Sequence, residues 1–471
     1  MGETGLLLGT TTKRLPASPG VARVLGRLLD ADWPVVPPCD GAAPSWGPRG
    51  PTPAHALTRK EAAALLGTRG ADLEAVLAAA DALRARTLGD RATFVTNRNI
   101  NYTNICSRSC DFCAFSASAP RGGKKGDPFL PSFPSASGGA PATVAAAEAP
   151  YFYSPDAIAA ASADAWAAGA TEVCMQGGIA PAFEADGGVR AYEEMVGAAR
   201  AGAPGIHIHA LSPLEVWTAA GGVEAALPAV LRRLADAGLN SLPGTAAEVL
   251  VARVRAALFP GALKKLGARE WLRVMQAAHG VGLRSTSTLM FGAANDAPAD
   301  WAAHLEALRA LQARSGGFTE FVPLPFVPDL APGFAAGRLR AGPTRRDCLA
   351  VTAVARLFLL GSIDHVQASW PKLGPAALPR LLAAGADDMG GVLMRESISR
   401  AAGAGFGAAL SPADLAAAAR AAGRTPAVRT TLYGRAPAER VSTAFGGVER
   451  ARAAGVEVVE GEGALADMVS V

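Results

Sequence analysis

The sequence is poor in charged residues and in cysteine, and these shortages exclude several classes of protein. Charged residues make up 18% of the chain, against about 25% in an average globular protein. Half of the residues are hydrophobic, so a generally disordered chain is excluded. Basic residues outnumber acidic ones by only 45 to 41, which gives no footprint for nucleic acid or an anionic membrane. Six cysteines among 471 residues exclude a disulfide scaffold.

Long apolar runs are also missing. The best candidate for a membrane span, residues 348–363, is interrupted by Arg356, and a span needs about 20 apolar residues. The N-terminal region lacks the basic segment and apolar core of a secretory signal. It contains Glu3, Asp30 and Asp32, whereas transit peptides are poor in acidic residues. We therefore expect a protein of the cytoplasm or of the plastid stroma, and the sequence does not decide between the two.

Composition divides the chain into four predicted segments. Residues 34–54 are dense in Pro, Gly, Ser and Ala, which is typical of a linker. Thr58 and Glu61 fit a capping box in front of a helical pattern that runs over 58–86. Residues 117–150 are of low complexity, and we predict a disordered insertion there. The predicted segments are a leader or linker (1–56), an N-terminal helical segment (57–91), a barrel that contains the insertion (92–375) and a C-terminal helical extension (376–471).

Short β-like runs alternate with helical patterns along most of the chain. The predicted strands are 92–95, 172–175, 206–210, 241–242, 285–290, 318–322 and 365–368. The predicted helices are 155–168, 189–201, 214–220, 227–237, 246–258, 268–279, 301–312 and 345–361. This alternation implies βα units and a parallel sheet. Roughly six to eight such units predict an α/β fold, a complete or partial (β/α) barrel of the TIM type, with its chemistry at the carboxyl ends of the strands.

Three of the six cysteines lie close together. Cys106, Cys110 and Cys113 form the pattern C-x-x-x-C-x-x-C, and thiolates at this spacing can hold one iron–sulfur cluster from a single loop. A structural zinc ion would need a fourth Cys or His, and the next cysteine, Cys174, lies beyond the low-complexity stretch. The odd number disfavours disulfide pairing. The pattern favours a 4Fe–4S cluster with one open iron over zinc or over three incidental buried thiols.

The cysteine spacing resembles that of the radical S-adenosylmethionine (SAM) superfamily, in which the open iron binds SAM. Phe112 stands where the superfamily has an aromatic residue that packs near the adenine. Seven further segments resemble the CofH-type subunit of FO (7,8-didemethyl-8-hydroxy-5-deazariboflavin) synthase, and the resemblance covers 58–435 apart from the insertion. The segments are NRNINYTNIC (97–106), EVCMQGGIAP (172–181), HIHALSPLE (207–215), LNSLPGTAAE (239–248), SGGFTEFVPLPF (315–326), QASWPKLG (367–374) and DDMGGVLMRESISRAAGA (387–404).

The resemblance implies a radical SAM barrel with a 4Fe–4S cluster and SAM as cofactors. It implies a transferase that couples the 4-hydroxybenzyl group of L-tyrosine to 5-amino-6-(D-ribitylamino)uracil in deazaflavin biosynthesis. A CofG-type radical SAM partner, separate or fused, would then close the deazaflavin ring, and an electron donor would reduce the cluster. No nucleic acid or membrane partner is implied.

The resemblance also gives candidate binding residues, although it assigns no catalytic side chain. The metal ligands are Cys106, Cys110 and Cys113. The cofactor-binding candidates are Phe112, Gln176, Gly177, Gly178, Ser212 and Glu215. The substrate-binding candidates are His207, His209, Thr319, Glu320, Gln367, Trp370 and Asp388, with Ser369 and Lys372 beside them at late strand ends, where such groups would pair with ribityl hydroxyls or uracil edges.

For several of these residues an ordinary structural role is an alternative to the predicted binding role. His207 and His209 alternate on one strand and so share a face, where they would bind substrate, hold a metal ion or simply pack in the core. Gly244, Thr245 and Glu248 are predicted to open a helix whose free N–H groups suit an anion, with helix capping as the alternative. For Gln176 an ordinary strand-end turn is as compatible as contact with SAM, and Trp370 could stack on the pyrimidine or simply pack in the core.

The sequence departs from the family pattern at four positions, one of which is Asp387, where the family usually has Asn. Ala293 and Asn295 stand where relatives have the histidine and carboxylate of G-H-x-E, and Arg395 replaces a usual glutamate. These departures leave an impaired enzyme or an altered acceptor open. Two further hypotheses are a futalosine-pathway radical SAM enzyme of menaquinone biosynthesis and a catalytically degenerate homologue that only binds a cluster.

Overall fold

The structure is a computed structural model that describes most of the chain. The described residues are 17–36, 47–48, 50, 52–108, 110–117, 149–184, 188–260, 265–406 and 409–459. Nearly all of the predicted insertion at 117–150 lies outside this set, and so does part of the predicted leader. The division of the chain into four segments stays a prediction.

The described residues form ten strands and eighteen α-helices. The strands are β1 (Arg91–Val95), β2 (Asn97–Ile100), β3 (Glu172–Met175), β4 (His207–Ala210), β5 (Ser241–Leu242), β6 (Arg284–Phe291), β7 (Phe318–Pro325), β8 (His365–Val366), β9 (Asp388–Gly391) and β10 (Thr425–Arg429). The helices are α1 (Pro19–Asp30), α2 (Arg59–Leu66), α3 (Gly70–Leu88), α4 (Pro155–Ala167), α5 (Val189–Gly202), α6 (Pro213–Ala219), α7 (Leu227–Asp236), α8 (Ala252–Leu258), α9 (Ala268–Gly280), α10 (Pro298–Ser315), α11 (Pro332–Ala335), α12 (Arg345–Leu359), α13 (Trp370–Leu373), α14 (Leu378–Leu382), α15 (Ile398–Ala401), α16 (Pro412–Ala421), α17 (Ala438–Phe445) and α18 (Val448–Ala453).

Strands β2 to β8, together with β9 and the residues that follow it, form a closed parallel barrel. Strands β2 to β8 pair in chain order as one parallel sheet. Single parallel bridges, Gln367 with Asp388 and Arg98 with Met394, connect both edges of this sheet to β9 and the residues that follow it. The predicted TIM-type barrel is therefore confirmed, and residues 388–394, from the predicted C-terminal extension, complete the ring of strand pairings.

A second, smaller sheet continues from the barrel wall. Strand β1, which precedes β2 with only Thr96 between them, pairs in parallel with both β9 and β10. It carries the chain from the small sheet into the barrel. The helices cover the outside of the strands, and their apolar faces form the core. In this layer α10 and α12 pack against α2, and α3 packs against α12.

Local sequence signals account for most of these elements. The predicted capping box is confirmed, since Thr58 Oγ1 accepts from Glu61 N at 3.3 Å and Glu61 Oε2 accepts from Thr58 N at 2.9 Å. The helical pattern over 58–86 corresponds to two helices, because α2 ends before Gly67 and α3 begins at Gly70. All seven predicted strands are present, with bounds that differ by up to three residues at either end.

The predicted helix at 246–258 begins only at Ala252. Ala246 and Glu248 have positive φ angles of 62° and 40°, and a right-handed helix requires negative ones. Gly244, Thr245 and Glu248 therefore do not open a helix. Among the described residues no single helix is long and apolar enough to cross a membrane; α6 and the stretch Glu224–Asp236 meet that criterion of length and composition only as a pair bent by 95°.

Candidate active site

The inside of the barrel contains a cavity of about 370 Å³. Every second residue of a strand points inward, and the lining follows this rule. The strands contribute Asn97 and Asn99 from β2, Glu172 and Cys174 from β3, Thr286, Thr288 and Met290 from β6, and Glu320, Val322 and Leu324 from β7. The cavity continues past the carboxyl ends of the strands, where Phe112, Cys113, Thr245, Glu248, Lys372 and Glu396 border it.

The three clustered cysteines lie on the loop that follows β2, and all three are free thiols. Cys106 Sγ accepts hydrogen bonds from the backbone N–H groups of Arg108 and Ile179, each at 3.4 Å. Cys113 borders the cavity. The described residues contain no group of three His, Cys, Asp or Glu side chains placed to hold a single metal ion. A 4Fe–4S cluster does not need one, because three thiolates bind three different irons, and this donor set fits such a cluster.

Several backbone contacts hold this loop against the ends of neighbouring elements. Ser107 N donates to Ile179 O at 2.8 Å, beyond the end of β3, and Gly333 N donates to Asp111 O at 2.7 Å. The Arg338 guanidinium also binds the Asp111 carboxylate, with Nε 2.6 Å from Oδ2. The loop is thus fixed at its base and at its middle, which positions Cys113 at the cavity.

The thiols of Cys110 and Cys113 have shifted pKa values, and the ammonium group of Lys265 acts on both. Burial raises the pKa of Cys110 to about 12 and also raises that of Cys113, so the bare thiols are neutral at pH 7. Metal coordination would deprotonate them. The Lys265 ammonium lies 3.4 Å from Glu248 Oε1 and 5.7 Å from the Phe112 ring centre. Burial lowers the pKa of Lys265, but the negative charges of Glu248 and of the ionised Cys110 thiolate more than offset this, so the pKa is raised.

Gly177 and Gly178 allow the end of β3 to approach the cysteine loop. A Cβ atom on Gly177 would lie 2.4 Å from the Tyr102 ring, and one on Gly178 would lie 2.2 Å from Ile105 O and 2.9 Å from Cys106 Cβ. Their packing role is therefore visible in the structure, whereas their contact with SAM stays a prediction. Gln176, the residue before them, borders the cavity.

Ser212 and Glu215 form the capping box of α6 and do not border the cavity. Ser212 N donates to Glu215 Oε2 at 2.6 Å, and Glu215 N donates to Ser212 Oγ at 3.4 Å. The Tyr102 hydroxyl also donates to Glu215. Burial raises the pKa of Glu215 although these hydrogen bonds lower it. Capping and the contact with Tyr102 account for both residues, and their role in cofactor binding stays a prediction.

His207 and His209 share one face of β4, as predicted. Ser241 Oγ lies 2.7 Å from both His207 Nε2 and His209 Nδ1. His209 borders the cavity and His207 does not. Burial, helped by Arg429, lowers the pKa of His209 to about 3. His209 is therefore a neutral imidazole at pH 7, which suits it to hydrogen bonding.

Glu320 lies at the centre of a buried polar network in the barrel wall. Its Oε2 accepts from Tyr433 OH at 2.7 Å and from Gln367 Nε2 at 3.3 Å, and it lies 3.5 Å from Arg429 Nη2. Burial raises the pKa of Glu320, although Arg429 lowers it. Glu320, Gln367 and Arg429 all border the cavity. The two residues predicted from the sequence, Glu320 and Gln367, therefore meet at one place.

Asp388 does not border the cavity, and its carboxylate is fully engaged. Oδ2 accepts from Thr93 Oγ1 at 2.6 Å and from Arg429 Nε at 2.5 Å, while Oδ1 accepts from Gly390 N at 2.7 Å and from Arg429 Nη2 at 3.0 Å. A carboxylate has about four acceptor positions. All four acceptor positions of the Asp388 carboxylate are thus occupied by groups of the protein. Its predicted contact with substrate stays a prediction.

The remaining predicted residues divide between wall and cavity. Thr319 turns away from the cavity and donates to Ser285 O at 3.3 Å. Trp370 is fully buried, borders the cavity and donates from Nε1 to Gly391 O at 3.0 Å. Ser369 borders the cavity as well. Neither Ala293, Asn295 nor Arg395 is among its lining residues, so the departures from the family pattern lie outside it.

Sequence reasoning missed Glu172, Glu396, Arg429 and Thr431, which also border the cavity. The alternation of Glu172 with Cys174 and Gln176 on a predicted strand was a usable signal for Glu172. Glu396, Arg429 and Thr431 follow β9 or belong to β10 and its end, and these strands lack an apolar alternation that would have revealed them.

Comparisons with known proteins match almost the whole of the described barrel. The family model of the radical SAM superfamily matches residues 100–308, and that of the CofH/MqnC C-terminal region matches 315–441. FO synthase of Mycobacterium leprae is 44% identical over 376 residues, which are 80% of this chain and 40% of that protein. FO synthase of Streptomyces coelicolor is 44% identical over 384 residues, again 40% of that protein. The chain thus spans about two fifths of the length of these FO synthases.

A shorter relative is matched nearly from end to end. The 5-amino-6-(D-ribitylamino)uracil–L-tyrosine 4-hydroxyphenyl transferase of Methanothermobacter thermautotrophicus is 39% identical over 377 residues, which are 80% of this chain and 94% of that protein. Among solved structures, the FeFe-hydrogenase maturase HydG from Carboxydothermus hydrogenoformans gives a TM-score of 0.63 at 14% identity, over 92% of this chain and 87% of that one. Methylornithine synthase (PylB) gives 0.52 at 17% identity, over 73% and 85%.

The two solved structures share the fold, and the identity to the archaeal protein over nearly its whole length shows the family. The chain therefore belongs to the radical SAM superfamily and, within it, to the CofH family of the 5-amino-6-(D-ribitylamino)uracil–L-tyrosine 4-hydroxyphenyl transferases.

Proposed function

We propose that this chain transfers the 4-hydroxybenzyl group of L-tyrosine to 5-amino-6-(D-ribitylamino)uracil in deazaflavin (FO) biosynthesis. The observation that carries the proposal is the match to the archaeal transferase over 94% of that protein. The barrel cavity supports it, because about 370 Å³ lies within the range of roughly 300–1,000 Å³ typical of small-molecule sites.

Cys106, Cys110 and Cys113 would hold a 4Fe–4S cluster, with Phe112 and Gln176 facing the bound SAM. When bound, the cluster and SAM supply the electron and the radical chemistry that the side chains of this protein lack. The backbone donors on Cys106 Sγ would tune the charge of the coordinating sulfur.

The chain itself binds and orients the substrates and excludes water. His209, as a neutral imidazole, and the Gln367 amide offer hydrogen bonds to the polar edge of the uracil or to ribityl hydroxyls. The buried Trp370 and the apolar residues Met290 and Val322 enclose the aromatic parts. Glu320 is held in place by Tyr433 and Arg429, so little reorganisation is needed when a ligand arrives.

We further propose that a CofG-type radical SAM partner closes the deazaflavin ring and that an external donor reduces the cluster. The named relatives come from bacteria and an archaeon, organisms without plastids, so they lend no support to the plastid alternative.

The proposal is tested by an anaerobic assay with the reconstituted chain, dithionite, SAM, L-tyrosine and the ribitylaminouracil. We expect 5′-deoxyadenosine, 2-iminoacetate and the coupled product by mass spectrometry, all of them dependent on tyrosine. Cleavage of SAM that is unaffected by tyrosine, with no coupled product, would contradict the proposal and favour the futalosine-pathway alternative. Absence of any SAM cleavage would favour the degenerate homologue.

The cluster ligands are tested by Cys110→Ala, with Cys348→Ala as the matched control. Both thiols are buried, but Cys348 lies on α12 and does not border the cavity. We expect Cys110→Ala to abolish SAM cleavage, since the cofactor provides the reactive step, and to remove the visible absorbance of the cluster. Cys348→Ala should retain both. Normal cleavage by Cys110→Ala would refute the ligand assignment.

A further inference from the structure

Two side chains of opposite charge lie together at the carboxyl ends of β8 and β9. Lys372 is on the short helix α13, which follows β8, and Glu396 follows β9. Both border the cavity, and both contact Ser399. Lys372 Nζ donates to Ser399 Oγ at 3.2 Å, and Ser399 N donates to Glu396 Oε1 at 2.8 Å. Ser399 thus holds the two charged groups next to each other.

The described part of the chain does not use all the hydrogen-bonding capacity of this pair. Glu396 is only 5% exposed, and its Oε2 atom has no hydrogen-bond partner among the residues that the structure describes. An ammonium has three donors, of which Lys372 gives one to Ser399. Burial lowers the pKa of Lys372, and Glu396 raises it without restoring its ordinary value. A buried carboxylate oxygen without a partner is costly, so a ligand that contacts it would relieve that cost.

We propose that Lys372 and Glu396 bind the α-carboxylate and the α-ammonium group of a free amino acid. An amino acid carries both charges on one carbon, so one ligand satisfies both side chains. The ribitylaminouracil is uncharged in its ribityl chain and would leave the pair uncompensated. This inference rests on the proposed function, in which the amino acid is L-tyrosine, and it gives Lys372 a different role from the uracil contact that its position at a strand end predicted.

SAM also carries an amino-acid group, but the charged side chain that lies against the cysteine loop is Lys265, whose Nζ is 5.7 Å from the Phe112 ring centre. The ammonium that acts on the Cys110 and Cys113 thiols is that of Lys265, whereas the charged neighbour of Lys372 is Glu396. In the superfamily the amino acid part of SAM binds the open iron of the cluster. The pair at Lys372 and Glu396 is therefore available to the second amino acid.

The test compares three ligands on the reconstituted chain by anaerobic calorimetry. These are L-tyrosine, tyramine, which lacks the carboxylate, and 3-(4-hydroxyphenyl)propionate, which lacks the ammonium group. Lys372→Met should weaken the binding of L-tyrosine by about tenfold or more, which is the value of one charge-assisted hydrogen bond. It should leave the affinity for tyramine unchanged. Glu396→Gln should weaken the binding of L-tyrosine by a similar factor and leave the affinity for 3-(4-hydroxyphenyl)propionate unchanged. The exposed Lys60→Met and Glu449→Gln are the matched controls and should change no affinity.

Each other outcome has a definite meaning. If a variant loses the same affinity for all three ligands, the residue has a merely structural role and the inference is overturned. An unchanged affinity for L-tyrosine in both variants would also overturn it. Loss of ribitylaminouracil affinity instead would also overturn it. If the wild-type chain makes the coupled product while the variants keep its KM for tyrosine, only this inference fails. If the wild-type chain binds no tyrosine and makes no product, the proposed function fails as well.

Discussion

At the scale of single residues, the geometry of the cysteine loop depends on a residue that has no side chain. Gly178 lets the end of β3 lie against the backbone of Ile105 and against Cys106. The contact is with a carbonyl group, which cannot rotate away as the end of a flexible side chain could. A larger residue would therefore push the first cysteine out of place.

We predict that Gly178→Ala lowers the iron and sulfide bound per chain after anaerobic reconstitution to less than about half, because the added Cβ displaces the loop. The matched control is Gly197→Ala on α5, where an added Cβ meets no atom of the described residues within 4 Å and alanine is favoured over glycine by up to about 1 kcal/mol. Full iron content in Gly178→Ala would show that the loop adapts without loss.

The number of hydrogen bonds that a buried side chain already makes also distinguishes a structural residue from one that can bind a ligand. The Asp388 carboxylate has four donors around it, whereas one oxygen of Glu396 has no partner within the described ranges. Both are buried acids near the end of β9. Sequence reasoning selected Asp388 and passed over Glu396, since hydrogen-bond saturation is a property of the folded surroundings.

At the scale of elements, one buried ion pair ties the small sheet together. Arg429 on β10 binds Asp388 on β9 through two hydrogen bonds, and β1 lies between these strands. Their side chains are 2% and 0% exposed. Burial lowers the pKa of Arg429, but Asp388, Tyr433 and Glu320 more than offset this, so the guanidinium stays charged.

We predict that Arg429→Met lowers the free energy of unfolding by roughly 3–5 kcal/mol, because it leaves a buried carboxylate without its partner. The double variant Arg429→Met with Asp388→Asn should lose less than the sum of the two single changes. Arg59→Met is the control, since its pair with Glu306 is exposed and worth about 1 kcal/mol or less. Denaturant unfolding measures all of them, and strictly additive losses would contradict the pairing.

At the scale of the whole molecule, stability depends on pH through histidines that are buried as neutral groups. His279 on α9 lies between two hydroxyls, with Nδ1 2.7 Å from Ser315 Oγ and Nε2 2.8 Å from Ser285 Oγ. Burial, helped by Arg284, lowers its pKa to about 3. The unfolded chain takes up a proton near pH 6.5, and the native chain does not, so stability from this group is present above pH 6.5 and is lost as pH falls toward 3.

We predict that the wild-type chain loses about 2 kcal/mol more free energy of unfolding between pH 7 and pH 5 than His279→Gln does. The glutamine keeps a polar group in the site but takes up no proton. Comparing the two proteins removes the contributions of other groups, such as Glu215 and Glu320, whose raised pKa values act in the opposite direction. Equal losses in both proteins would show that His279 is not kept neutral by the fold.

The sequence alone predicted the features that depend on neighbours along the chain. The spacing of Cys106, Cys110 and Cys113 places three thiols on one loop whatever the rest of the molecule does. Apolar runs such as 172–175 and helical periodicities predicted strands and helices because burial repeats at their own periods. The alternation of these elements was enough for the barrel, since parallel strands joined by helices have few other ways to bury both faces.

Tertiary structure decided the features that depend on distant partners. The strand Asp388–Gly391 is polar and glycine-rich, and it is a strand because β1 and the residues after β8 pair with it. The positive φ angles at Ala246 and Glu248 overrode a local helical pattern. Only the closed barrel brings Lys372 and Glu396 to one side of the cavity and turns Thr319 away from it, because the direction of a side chain is set by how each strand is twisted and paired in the ring.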